Sequence, residues 1–314
     1  MAAPVRLATS TERLAPARIR LLAPPGHFWR VLAPSEQARR WLLLVASCVG
    51  WGIALAAAVQ LLLIDGGMAY DGYAYWLAGR HVLDGAALYG ATEVDALGAY
   101  KYPPLFAQLW APLSIMPALA FSWLWRLACL LCVRWLAGSW RNVGLWLLVP
   151  FTITELSLAN VTFPVAVMTV MALQGRAWLA PWAAALKWGP ALAIPYLWLT
   201  SPAQRRSLLV GCLTLAAACA VSFVIDPAAW SMYFGSMLAS TDAAMSGAGV
   251  IALAPTGALD LGLRVALALA LTALAVRLRS DRLIFTATII AVPILAAWRL
   301  APLLVLPRLR RTDD

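Results

Sequence analysis

The residues able to do chemistry are few, and most sit in one stretch. Asp71 opens the string DGYAYWLAGRHVLDGAALYG, Asp71 to Gly90, which is followed by AYKYPPLFAQLWAPL, Ala99 to Leu113. Transfer of a group onto a hydroxyl needs one carboxylate base near the reacting carbon and benefits from cations at a departing phosphate. Asp71 is placed for the first role, and it suits an N-cap equally, because a helix-like run follows it. Asp65 is a second candidate, or an end-of-span solvated carboxylate. Glu155, in TITELSLAN, lies inside an apolar segment, where a carboxylate is costly enough to suggest function; the alternative is a partly wet group paired with an arginine. For the cationic role the sequence offers Lys187, just before the break Trp188-Gly189-Pro190, then Arg264 and Lys101. Each could equally fix two helices or snorkel.

Other chemistries find no template. Asp65, Asp71 and Asp84 are never two apart, so there is no paired-aspartate metal site. His27 and His81 are too few and too distant for a metal cluster, and no metal or cofactor is expected. Cys129 and Cys132 form a CxxC inside an apolar run without a second pair, which reads as helix-face packing. Tyr73, Tyr75, Trp76, Tyr89, Tyr100 and Tyr102 could stack on sugar faces or form an interfacial aromatic belt. Tyr102-Pro103-Pro104 reads as an extended entry that starts a helix.

The elements that must hold these residues are membrane helices. Of 314 residues, 63% are hydrophobic and 12% charged, and the mean hydropathy is +0.79. Soluble domains run nearer 45–50% apolar and about 25% charged. A soluble enzyme, a disordered chain and a disulfide-stapled scaffold are excluded. The 24 basic and 14 acidic residues leave +10, but the bases cluster between apolar runs, where they set topology and do not suggest nucleic acid.

Residues 1–40 carry seven arginines against Glu12 and Glu36 and read as a basic cytosolic tail. A membrane domain follows over 41–307, with 308–314 as a second cytosolic tail. The first span runs over about 41–64, long enough for a hydrocarbon core of about 30 Å. Residues 65–102 then form an acidic extracytoplasmic loop, and the spacing of Ala74, Leu77, Ala78 and Val82 predicts a short amphipathic helix lying in the interface. A short re-entrant helix broken at Pro117 and a true span come next. Further segments are expected near 143–158, 161–174, 177–188, 189–199, 207–225, 260–276, 283–297 and 298–307. Several are too short to cross alone, and broken helices are tolerated where they line a protein-buried cavity. The fold expected is an all-α polytopic bundle of about 8–11 spanning or broken helices. Residues 201–206 and 277–282 fall inside and 226–260 outside by the positive-inside bias.

Asp71, Tyr75, Ala78, Gly85, Tyr89 and Tyr102-Pro103-Pro104, in that order, resemble the first-loop pattern of family 87 glycosyltransferases. These are polyprenyl-phosphate-mannose-dependent α-mannosyltransferases of the GT-C type. ANVTFPVAV (Ala159–Val167) is similar to that family's Gly-Gln element, with Asn160 where Gln is usual, and ALKWGPALAIPYL (Ala185–Leu197) resembles its Lys-x-x-Pro element. This chain would be a short member. The resemblance implies a multi-pass cell-membrane enzyme whose site faces away from the cytosol. It would move a sugar, most simply mannose, from a polyprenyl-phosphate donor to a lipid-linked or cell-envelope glycan. Asp71 would be the base, and Lys187, Arg264, Lys101, Tyr75 and Tyr102 would hold the donor. Membrane lipids, and possible membrane-protein partners, complete the expected surroundings. A lipid or small-solute transporter and a noncatalytic subunit of an envelope-glycan complex are the competing readings.

Overall fold

The computed structural model describes residues 35–64, 66–89, 100–235, 257–291 and 297–309. Its contacts group into two units, 1–44 and 45–314, and the candidate residues belong to the second. Among the described residues there are helices and turns and no strand. The second candidate base, Asp65, most of the amino-terminal tail and residues 236–256 lie outside the described residues.

The chain begins with α1, Glu36–Ile64, and α2, Tyr70–Asp84. Next come α3, Pro104–Trp110, a 3-10 turn at Ala111–Ile115, and α4, Ala118–Ala137. Then follow α5, Trp140–Leu147, α6, Pro150–Leu158, α7, Thr162–Leu173, and α8, Leu179–Leu186. A 3-10 turn at Gly189–Leu192 leads to α9, Ala193–Thr200, and α10, Arg205–Ile225. The described chain ends with α11, Gly257–Leu278, α12, Asp281–Ile290, and a 3-10 segment, Ala297–Arg308.

Proline sets most of the breaks. Pro117 caps α4, as the sequence predicts, and Pro103-Pro104 starts α3. The single segment expected over 143–158 is instead two helices, because Pro150 opens α6 and its ring cannot continue α5. The last segment is 3-10 rather than α, with Pro302 and Pro307 inside it. Among the described residues, four helical stretches are long and apolar enough to cross a membrane: Glu36–Leu63, Ala118–Ala137, Pro202–Ile225 and Leu261–Leu278. The pair α6 and α7, bent by 108°, would make a fifth. The expected 8–11 therefore resolves into four or five candidate spans, with shorter broken helices packed among them.

α2 is not the surface helix its spacing predicts. Gly72, Ala74, Tyr75, Ala78 and Gly79 are buried, and the helix packs on α3, α4, α6 and the Ala111–Ile115 turn. Two glycines allow this approach. A Cβ on Gly79 would run into Ser114 Oγ, and one on Gly72 would lie 3.0 Å from Ala69 Cβ and 3.3 Å from Ala159 Cβ. The second contact brings the first turn of α2 against the turn that joins α6 to α7.

Candidate functional site

That turn is fixed from α4. Trp125 Nε1 donates to Ala159 O at 2.9 Å. The Arg126 guanidinium donates to Ser157 O at 3.1 Å and 3.3 Å, to Met68 O at 3.0 Å and to Gly67 O. One buried side chain therefore ties the end of α6 to the entry of α2, and a cation suits a helix carboxyl end. Ala159 itself is left-handed, with φ of 52° and no exposure. A non-glycine residue there stores strain of order 1 kcal/mol, which the bonds from Trp125 and Arg126 hold in place.

With the two turns clamped, four polar side chains meet in sequence. Asn160 Nδ2 donates to Asp71 Oδ2 at 2.6 Å. Asn160 Oδ1 accepts from the Thr162 amide at 3.0 Å, an Asx turn, and from Thr162 Oγ1 at 2.7 Å. Thr162 Oγ1 in turn accepts from Lys187 Nζ. Every bond points one way, from ammonium through hydroxyl and amide to carboxylate. Such a chain polarises each member in the same sense. Asp71 is half-buried, whereas Asn160 and Thr162 are buried.

Asp71 does not cap the helix. The N-cap is Ala69, which makes no side-chain cap bond, and Asp71 lies within the first turn, where a negative charge is favoured by the helix dipole. Its carboxylate is spent on Asn160, 89 residues away in the chain. Lys187 is also displaced from expectation. It is not inside a helix before the break but is the C-cap of α8, in extended conformation. The cavity at its side is about 20 Å³, lined by Thr162, Thr169 and Thr288 among others. That is room for one water and not for a phosphate group.

Glu155 is 1% exposed, so the partly wet reading is overturned. Its α6 position places it one helical turn before Ala159. Cys129 Sγ donates to Asn160 O at 3.5 Å, which gives the expected packing cysteine a place in the wall of the site. Arg264 is 2% exposed on α11, a helix packed on α12 and α9. Lys101 is exposed beside the Tyr102-Pro103-Pro104 entry.

The tyrosines form core rather than a stacking platform. Tyr75 is 1% exposed, with its ring stacked on Trp110 at 4.6 Å and edge-on to Trp125 at 6.0 Å. Its hydroxyl accepts from the Val161 amide at 3.3 Å and lies 3.2 Å from that of Tyr102. Burial, then Tyr102 and Asp71, push its phenol well above the usual range, so it stays a neutral hydroxyl that braces the 159–162 turn. Tyr89 donates to Tyr102 O, Tyr100 to Pro103 O at 3.0 Å. Tyr89 also lies 5.8 Å from Tyr233, so the described residues up to Tyr89 meet those at 226–235.

Thr162 and Trp125 are the site residues that sequence reasoning passes over. The Asn160-Val161-Thr162 spacing is the one signal for Thr162, since a hydroxyl two residues past Asn favours this turn. Compared with known protein families, with curated proteins and with solved structures, the chain matches none of them.

Proposed function

We propose that the protein is an integral-membrane glycosyltransferase that uses a polyprenyl-phosphate sugar, with Asp71 as general base. One observation carries the reading. A half-buried carboxylate at the start of a helix is oriented by a one-way hydrogen-bond chain that ends in a lysine ammonium. A carboxylate kept only for capping or solvation has no need of Asn160, Thr162 and Lys187 behind it.

In this reading the acceptor hydroxyl gives its proton to Asp71 as its oxygen attacks the anomeric carbon. The bond from that carbon to the donor phosphate oxygen breaks, and the electron pair leaves with the phosphate. Asn160 fixes the free oxygen of Asp71 toward the acceptor, and Lys187 stabilises the chain from its far end. Lys187 is then a positioning residue, and the phosphate falls to another cation. The site faces away from the cytosol, on the side of the two acidic segments, and the sugar passes to a lipid-linked or cell-envelope glycan.

The test is to incubate purified protein with radiolabelled polyprenyl-phosphate sugars and a membrane glycolipid extract. Transfer of label from one of these donors supports the reading. Retention of label on every donor, by protein shown to be folded, overturns it and returns the transporter and accessory-subunit readings.

A further inference from the structure

Two neighbouring cavities flank α1 and share lining residues. The first, about 330 Å³, lies between α1 and the helices α4 to α6, where Ala54, Ala58 and Leu61 face Leu127 and Ile153. The second, about 590 Å³, is bounded by Ala69, Tyr70 and Tyr73 at the start of α2 and by Ser157 and Leu158. Leu61 and Ser157 line both. Together they make one groove that descends α1 from Leu61 to Trp51. Ten residues of helix span roughly 15 Å, about half of a 30 Å hydrocarbon core. Alanines on the α1 wall leave the width, and that wall is otherwise apolar.

Among the described residues, Arg126 is the one charged side chain that lines either cavity. It stands where the groove meets the second cavity, stacked over Trp123 at 4.6 Å and anchored on the carbonyls of Gly67, Met68 and Ser157. The chemistry of the groove is thus that of an anionic amphiphile: an apolar channel one leaflet deep, with a fixed cation at the end nearer Asp71.

We infer that this groove seats the isoprenoid chain of the polyprenyl-phosphate donor, with the phosphate at the Arg126 end beside the first turn of α2. The inference rests on the transferase reading for the identity of the lipid. Van der Waals packing of the chain against the groove wall and the charge of Arg126 supply the affinity, and the groove sets the height at which the sugar meets Asp71.

The test measures binding of polyprenyl phosphate to purified protein in detergent, for wild type, Ala58→Phe, Ala54→Phe and Val59→Phe. The first two substitutions fill the groove; Val59 is 45% exposed and lies outside its lining, so the third is a matched control. Affinity should fall tenfold or more for Ala58→Phe and Ala54→Phe, stay within twofold for Val59→Phe, and resist an equal concentration of phosphatidylglycerol. A photoreactive prenyl chain should label α1 and α4 peptides in wild type, which reads the site without any substitution. Unchanged affinity in both groove variants, displacement by phosphatidylglycerol, or labelling elsewhere overturns the inference. The two proposals separate cleanly. Groove-dependent binding without sugar transfer leaves the groove standing and removes the transferase; normal transfer by Ala58→Phe does the reverse.

Discussion

Thr162 separates positioning from mere packing. Thr162→Val keeps the shape but removes the hydroxyl between Lys187 and Asn160, leaving Asn160 Oδ1 with the backbone amide alone. A hydrogen bond of this kind contributes about 0.5–1.5 kcal/mol, so kcat should fall about threefold to tenfold with little change in KM. Thr162→Ser restores the hydroxyl and should recover most of the loss. Equal kcat in wild type and Thr162→Val would mean that the chain carries nothing to Asp71. Lys187 is legible in the sequence as a charge in apolar surroundings, an expense that asks for a reason, whereas Asp71 and Asn160 are legible through the motifs they resemble. Thr162 was not legible, since threonine is common in membrane helices and its hydroxyl usually returns to its own backbone, as Thr169 does to Val165 O. Tyr75 misled in the opposite direction. A tyrosine near a carboxylate suggests sugar stacking, but its neighbours Trp110 and Trp125 arrive from other helices and cover both sides.

The elements matter through two close approaches. Gly72 lets α2 meet Ala159, so Gly72→Val should push Asp71 away from Asn160. Overpacking typically costs about 1–3 kcal/mol, and the variant should melt at lower temperature and lose transfer more completely than its stability loss explains. A Gly72→Val protein with wild-type melting and turnover would show that the approach is not required. Arg126→Leu removes the clamp on Gly67, Met68 and Ser157, and each buried carbonyl left without this donor costs about 1–3 kcal/mol. Its melting temperature should drop further than that of Gly72→Val, and Arg126→Lys should recover part of it. An unchanged melt for Arg126→Leu would contradict the clamp. Element boundaries follow the expected prolines at Pro104 and Pro117, and a further one falls at Pro150, inside what reads as a single apolar segment. What periodicity could not tell is that α2 is buried: its apolar stripe suits an interface and a protein core alike, and only the small faces of Gly72 and Gly79 hint at the second.

At the scale of the molecule, the bundle brings Asp71, Asn160 and Lys187 together through Thr162 and leaves Arg264 on α11. The chain of Asp71, Asn160, Thr162 and Lys187 draws on α2, α7 and the end of α8. The tyrosine cluster joins residues 75–110 to Tyr233. The orientation proposed from the positive-inside bias has the Asp71 chain and the tyrosine cluster facing outside and residues 201–206 facing inside. Lys101→Cys should therefore react with an impermeant maleimide in intact cells, above the background of the five native cysteines, and Ala203→Cys only after permeabilisation. The reverse pattern would move the donor to the cytosolic side. Helix count was the part of the architecture least available from sequence, because short apolar runs separated by prolines look alike whether they cross, bend back or end as 3-10 turns. The central claim, that Asp71 is the base of a sugar transfer, is met most directly by comparing wild type with Asp71→Asn in the radiolabelled donor assay. The amide can still accept from Asn160, so folding and donor binding should persist, but it cannot take the acceptor's proton. Turnover should fall by about 10²–10⁴-fold, and turnover within a few-fold of wild type would contradict the account.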